Sequence, residues 1–111
     1  MEPITLAAMA ISLIAPYLTK AGEAMAKKVG EATWEKMQQL YTAVKDKLTG
    51  DPYAEQTLER LKENPESESR QQALVGVLKE KIQDDSTFSK ALQELLAGAK
   101  EAGEVAKRPE V

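Results

Sequence analysis

The chain has 111 residues, 42% of them apolar and 30% charged, with a formal net charge of −3; this suffices for one domain around one modest core and creates no overall field that would draw in nucleic acid. Cysteine and histidine are both absent, which excludes disulfides, thiolate metal sites, thiol nucleophiles and the commonest general base. Aromatic residues make up only 5%, so the core must be aliphatic, and the abundance of Ala, Leu, Glu, Lys and Gln predicts helices.

The chain opens on a run without charge, Pro3-Ile4-Thr5-Leu6-Ala7-Ala8-Met9-Ala10-Ile11-Ser12-Leu13-Ile14-Ala15-Pro16-Tyr17-Leu18-Thr19, flanked by Glu2 and Lys20. Pro3 suits the first turn of a helix. Pro16 either kinks a longer helix or ends the first one near Ala15. From Ala21 to Thr49 the pattern predicts a helix whose buried stripe is Trp34, Met37, Tyr41, Val44 and Leu48, at alternating steps of three and four. Gly22, Ala26 and Gly30 form a small-residue strip on the same stretch that would let another helix approach. Soluble helix packing is the plainer account of that strip, because Glu23, Lys27 and Lys28 interrupt it. Gly50 sits where a left-handed cap residue is expected.

Asp51-Pro52 reads as an N-cap followed by proline at the first helical position. The helix it starts has a face of Ala54, Leu58 and Leu61 and ends near Glu63. Asn64-Pro65 repeats the signal before a helix that buries Leu74, Val77, Leu78 and Ile82. Asp84, Asp85 and Ser86 punctuate again, with Ser86 expected as the cap. Phe88, Ala91, Leu92, Leu95, Leu96 and Ala99 line the last helix. Residues 1–100 are thus expected to form an all-α, up-down bundle of four or five helices with short connections, with residues 101–111 a flexible tail or linker. No repeat of fixed period stands out.

The composition points to no enzyme: there is no phosphate-binding loop, no cofactor motif and no metal-ligand cluster. Asp84-Asp85 is the nearest approach to a carboxylate pair, and capping explains it. Basic residues stand singly among acidic ones, which does not make a nucleic-acid groove. The basic residues slightly outnumber the acidic ones only in the first half, six to five over residues 1–50, the half that carries the apolar run.

Three accounts of that run compete. A signal peptide fails because no positive charge precedes the apolar stretch. A central bundle helix, apolar all round and buried, fits the resting state. A segment able to enter a bilayer also fits, since about 17 uncharged residues rise about 25 Å as a helix, against about 30 Å of hydrocarbon. The last two are compatible if the helix is sheltered at rest and exposed on activation.

The opening Met1-Glu2-Pro3-Ile4-Thr5-Leu6-Ala7-Ala8, with Pro16-Tyr17-Leu18 and Gly30-Glu31-Ala32-Thr33-Trp34-Glu35-Lys36, resembles bacterial HeLo-like domains, also called Bell domains, which are related to fungal HeLo domains. The resemblance covers about residues 1–100. It implies a cell-death effector that rests in the cytoplasm and acts at the plasma membrane. In that family a C-terminal amyloid motif, templated by an NLR-like receptor, clusters the domains, and the N-terminal helix then enters the lipid. Nothing after Lys100 resembles such a motif, so the chain is expected to be the effector part alone. On this view Ile4, Leu6, Met9, Ile11, Leu13, Ile14 and Leu18 form the inserting set. Pro16 and the Gly22/Ala26/Gly30 strip supply hinge and packing surface. Membrane lipid and further copies of the chain are the partners, and no cofactor takes part. The rival account is a helical adaptor that binds another protein and never meets lipid; an enzyme working with Asp, Glu, Lys or Tyr alone is weaker still.

Overall fold

Each helix of the chain begins or ends on a residue whose chemistry requires it. The computed structural model describes residues 2–19, Lys27 and residues 30–107. Helix α1, Pro3–Tyr17, starts with proline where no N–H is needed and runs through Pro16 by one residue. Leu18 N–H is then shared between the carbonyls of Ile14 (3.1 Å) and Ala15 (3.2 Å). Of the two roles open to Pro16, it terminates the helix from within its last turn.

The stretch expected as one helix from Ala21 to Thr49 is broken at Gly30, whose φ of 89° lies in the left-handed region that glycine tolerates. Helix α2 therefore spans Glu31–Leu48, and Gly50, at φ 97°, turns the chain after it. Asp51 caps α3, Pro52–Glu63, by accepting from the amides of Tyr53 and Ala54. Helix α4, Glu68–Asp84, starts later than Asn64-Pro65 suggested: Asn64 to Ser67 form a turn, and the Ser67 hydroxyl caps the helix by accepting from Arg70 N–H. Helix α5, Ser86–Lys107, is capped by Asp85 instead of the expected Ser86, because the Asp85 carboxylate accepts from both Thr87 and Phe88 amides. Helical backbone continues past Lys100, where a tail was expected; Glu101, Ala102, Glu104, Ala106 and Lys107 are strong helix formers, which outweigh Gly103 and Val105. The described residues form five helices and no strand.

Helix α1 packs along α4 and α2 along α5, while α3 lies against α4, and α1 also reaches α2 and α5. Both principal pairs are antiparallel. Lys47, late in α2, meets Asp85 at the start of α5, whereas Lys36, early in α2, lies against Gly98. Ile4 shares a cleft with Gly76 and Glu80 of α4, and Ser12 and Ala15 share another with Gln71.

The common core takes Leu6, Ala7, Ala10, Ile11 and Ile14 from α1, Leu40, Val44 and Leu48 from α2, and Ala54, Leu58 and Leu61 from α3. It is completed by Leu74, Val75, Val77, Leu78 and Ile82 of α4 and Phe88, Leu92 and Leu96 of α5. Met37 and Ala99 are also buried. The stripe of α2 is rotated by about one position from expectation. Thr33, Met37, Leu40, Val44 and Leu48 face inward, while Trp34 and Tyr41 are only half-buried at its edge, and Leu95 of α5 is likewise half-buried and Ala91 exposed. A wide indole at position 34 meets the rim of a core filled with aliphatic side chains. Accordingly, Leu40→Ala is expected to cost about 2–5 kcal/mol, and Trp34→Ala less; a larger loss of denaturation midpoint for Trp34→Ala would place the indole in the core after all.

A repeat also emerges that the sequence alone did not show. Leu40, Val44, Leu48, Ala54, Leu58 and Leu61 of the α2–α3 unit stand at one constant offset from Leu74, Leu78, Ile82, Phe88, Leu92 and Leu95 of the α4–α5 unit. Lys47 and Asp51 stand at the same offset from Lys81 and Asp85. The ion pairs cross between the units: Lys47 Nζ lies 2.5 Å from Asp85 Oδ2, and Lys81 Nζ lies 2.8 Å from Asp51 Oδ2.

Lys81 and the two capped amides hold the Asp51 carboxyl below its ordinary value of 3.8, and Asp51 in turn raises Lys81 above 10.5. A carboxylate with a lowered folded pKa stabilises the fold above its unfolded value and loses that contribution as pH falls through the folded value. A raised lysine contributes below its unfolded value and loses it as pH rises through the folded one. The pair is thus intact across neutral pH and fails at both extremes. Asn caps as well as Asp, so Asp51→Asn isolates the charge: the variant should be less stable than the parent at pH 7, and the deficit should shrink in acid as the pH falls through the lowered carboxyl value. Denaturant titrations at the two pH values give the comparison, and an unchanged deficit in acid would mean that the charge contributes nothing.

Candidate functional site

A water-facing helix normally carries charge on its outer side, and α1 carries none from Pro3 to Tyr17. Its inward face is built from two rows at spacing four, Leu6-Ala10-Ile14 and Ala7-Ile11-Ala15, all buried. The three alanines keep the ridge low, which lets α1 lie close to its neighbours. The outward face consists of Ile4, Thr5, Ala8, Met9 and Ser12, all exposed, with Ile4 at 45% and Met9 at 38% of their full exposure. The expectation of a central helix enclosed on all sides is therefore corrected. α1 is a peripheral helix, buried along one face and bare of charge on the other.

The inserting set expected from the sequence is divided by this geometry. Leu6, Ile11 and Ile14 are fully buried, Leu13 and Leu18 pack half-buried against the core, and Ile4 and Met9 face water. Of the strip expected to serve as hinge and packing surface, Gly22 and Ala26 lie outside the described residues, and Gly30 is the N-cap of α2. Pro16 lines a shallow cleft of about 380 Å³ with Ser12, Ala15, Thr19, Pro65, Glu66 and Gln71. Having no N–H, Pro16 cannot donate to the Ser12 carbonyl, as a residue four further along a helix normally would. Two hydroxyls toward this end are turned onto the backbone: Ser12 Oγ donates to Met9 O at 2.7 Å, and, just past the helix, Thr19 Oγ1 donates to Pro16 O at 2.8 Å.

The C-terminal end of α1 is held by an aromatic cluster that the sequence did not single out. The Tyr17 ring lies 4.9 Å from that of Trp34 and 5.4 Å from that of Tyr41, both tilted. Each such contact contributes about 0.5–1.5 kcal/mol beyond area burial. The half-burial of Trp34 and Tyr41 follows from this role. They sit at the edge of the α2 stripe because their partner belongs to α1.

At the other end, Ile4 lies over a second open cleft lined by Tyr53, Ala73, Gly76, Val77, Lys79 and Glu80. Tyr53 is 70% exposed, so exposed apolar surface continues from Ile4 of α1 to Tyr53 of α3, bordered by Lys79 and Glu80 of α4. Among the described residues no group of His, Cys, Asp and Glu is placed to hold a metal ion. No helix among them is long and apolar enough to cross a membrane.

The asymmetry of α1 leads to a stability prediction. Ile11→Asp places a charge in the core and should cost about 4 kcal/mol or more, whereas Met9→Asp should cost no more than about 1 kcal/mol, the size of a helix-propensity change. Thermal unfolding followed by circular dichroism distinguishes the two sites; equal losses would mean that both faces of α1 are enclosed.

Compared with protein families, residues 1–108 match the one described as the Het-E N-terminal domain. No curated protein and no solved structure matches the chain.

Proposed function

The chain belongs to the Het-E N-terminal domain family, which is related to the fungal HeLo and HET cell-death domains, and on that premise we propose that it is a cell-death effector module whose α1 enters a membrane once several copies are brought together. The observation that carries the proposal is the outward face of α1, exposed and without charge. Such a face marks an interaction site, and its lack of charge suits lipid. The finer likeness to bacterial Bell domains belongs to the same proposal and rests on the opening residues and on Gly30–Lys36.

Energetics explain why clustering is needed. Returning Leu6, Ile11 and Ile14 to water costs about 1.5–3 kcal/mol each, a large share of the stability of a domain this size. α1 therefore stays docked in a single molecule. A bilayer offers the same residues an equally apolar destination, and neighbouring copies supply the attachment that holds the helix near it. With 15 residues, α1 rises about 22 Å against about 30 Å of hydrocarbon. Insertion is accordingly accompanied by local thinning of the bilayer, which costs fractions of a kcal/mol per Å of mismatch. The reading includes no chemical step and no cofactor.

The second reading, an adaptor without membrane activity, draws on the patch formed by Ile4, Tyr53, Ala73 and Gly76, which a protein partner could cover.

Met9 provides the test, because it lies near the middle of α1 and outside the core. A charge at the centre of an inserted helix costs about 2.5–3.5 kcal/mol on insertion scales, while the folded bundle tolerates it. Fused to an oligomerising tag, the parent should release dye from liposomes, and Met9→Asp and Met9→Lys should both fail to do so while remaining folded. Leakage by both folded variants would exclude insertion of α1, and an inert clustered parent would favour the adaptor.

A further inference from the structure

Two kinds of attachment hold this bundle together, and they lie on different helices. α1 is held by apolar contact and the Tyr17 ring cluster, and it brings no charged side chain of its own between Pro3 and Tyr17. The α2–α3 and α4–α5 units are instead tied at their corners by the two crossed lysine–aspartate pairs. We propose that these pairs form a clasp that stays shut during activation, so that α2–α5 move as one body and α1 alone is released. This inference rests on the reading that α1 enters the membrane, and it names the part of the molecule that does not rearrange.

The clasp has the same construction on both sides. Asp51 uses Oδ1 to accept from the amides of Tyr53 and Ala54 and Oδ2 to accept from Lys81. Asp85 uses Oδ1 to accept from the amides of Thr87 and Phe88 and Oδ2 to accept from Lys47. Each carboxylate thus caps its own helix and grips the opposite unit at once, and a lysine cannot leave without exposing a charged cap. Beneath the pairs the chain is fully packed. Leu48 and Ile82 follow the two lysines directly, Ala54 and Phe88 follow the two aspartates at the same interval, and all four are buried. Lys47 Nζ also lies 5.5 Å from the centre of the Phe88 ring.

The packing of the helices obeys the same exchange. α2 packs on α5 and α4 packs on α3, so interchanging the two units turns one contact into the other. The surrounding charges leave the clasp closed at neutral pH. Glu80 and Asp84 add to the field that keeps Lys81 protonated, and Lys47 keeps Asp85, like Asp51, below the ordinary carboxylate value. Glu55, beside this corner, accepts from the amide of Gly50. A proton switch in the cellular range is not built into these groups, and the element free to separate is α1, which no ion pair holds among the described residues.

The chain contains no cysteine, so cross-links can be placed at will. One doubly substituted protein, Lys47→Cys with Asp85→Cys, is joined by a short reducible linker to lock the clasp. A second, Ser12→Cys with Glu66→Cys, locks α1 across the cleft that both residues line. Each is checked for helical content, fused to the oligomerising tag and added to dye-filled liposomes before and after reduction. The clasp-locked protein should leak like the parent in both states. The α1-locked protein should fall to background and recover when the linker is cut. Silence of the clasp-locked protein with recovery on reduction would overturn the clasp while leaving membrane insertion standing. Full leakage by the α1-locked protein, or none by the parent, would overturn the reading beneath it and the clasp with it. If the clasp-locked protein does not fold, hydrogen exchange on the clustered parent bound to liposomes decides the matter. The Ala54 and Phe88 amides should keep their protection while those of α1 change, and loss of protection at Ala54 and Phe88 would overturn the proposal.

Discussion

The bundle closes only because α1 presents two low apolar rows, Leu6-Ala10-Ile14 and Ala7-Ile11-Ala15. Most of the other helices have an amphipathic face that would be incomplete without them. The core residues of α4, from Leu74 to Ile82, meet these rows directly, and α2 and α5 reach the same ridge from the side. The alanines matter as much as the larger side chains, since a bulkier residue at 7, 10 or 15 would hold the backbones apart and leave the aliphatic partners loosely packed. This dependence makes the helix indispensable to the closed form. The bareness of its other face makes the same helix the element best suited to leave.

The corners work by different physics. Partly exposed ion pairs contribute little to stability when taken singly, but here each aspartate also satisfies two amides that would otherwise be orphans of a helix start. The crossed arrangement chiefly fixes register: α2 must end where α5 begins and α4 must end where α3 begins. A slip of one helical turn at either corner would separate a lysine from its carboxylate and uncover Leu48 or Ile82. Specificity and stability are thus divided between a polar end, which sets which residues face each other, and an apolar interior, which supplies the favourable free energy.

Much of the helical arrangement was legible in the sequence because helix starts and apolar periods are local signals. Asp51-Pro52, Gly50 and the faces of α3 and α4 fall where expected, and the face of α5 does so except at Ala91 and Leu95. Several departures share one cause, the presence of two nearby residues able to play the same part. Ser67 and Asn64 can both cap, as can Asp85 and Ser86, and the choice depends on where the following helix packs. Thr33 and Leu40 alternate with Trp34 and Tyr41 at the same spacing, and only the position of Tyr17 decides which pair is drawn to the edge. For the candidate site, the absence of charge in α1 was plain. Which face is buried was not, because both faces are apolar and the period carries no contrast. The crossed ion pairs and the repeat behind them are contacts between distant parts of the chain, and few residues are identical between the two units, so no local pattern announces them.

The hydroxyls of α1 bear on how such a helix could be taken out of water. A serine or threonine hydroxyl moved into hydrocarbon without a partner costs several kcal/mol, yet Ser12 and Thr19 already donate to the carbonyls of Met9 and Pro16, three residues before them, and carry that satisfaction with them. The Ser12 carbonyl is different, since Pro16 can offer it no proton. One stretch of the backbone near the end of α1 therefore retains an appetite for water. For the proposed insertion, that carbonyl marks the Pro16 end as one suited to remain among the headgroups.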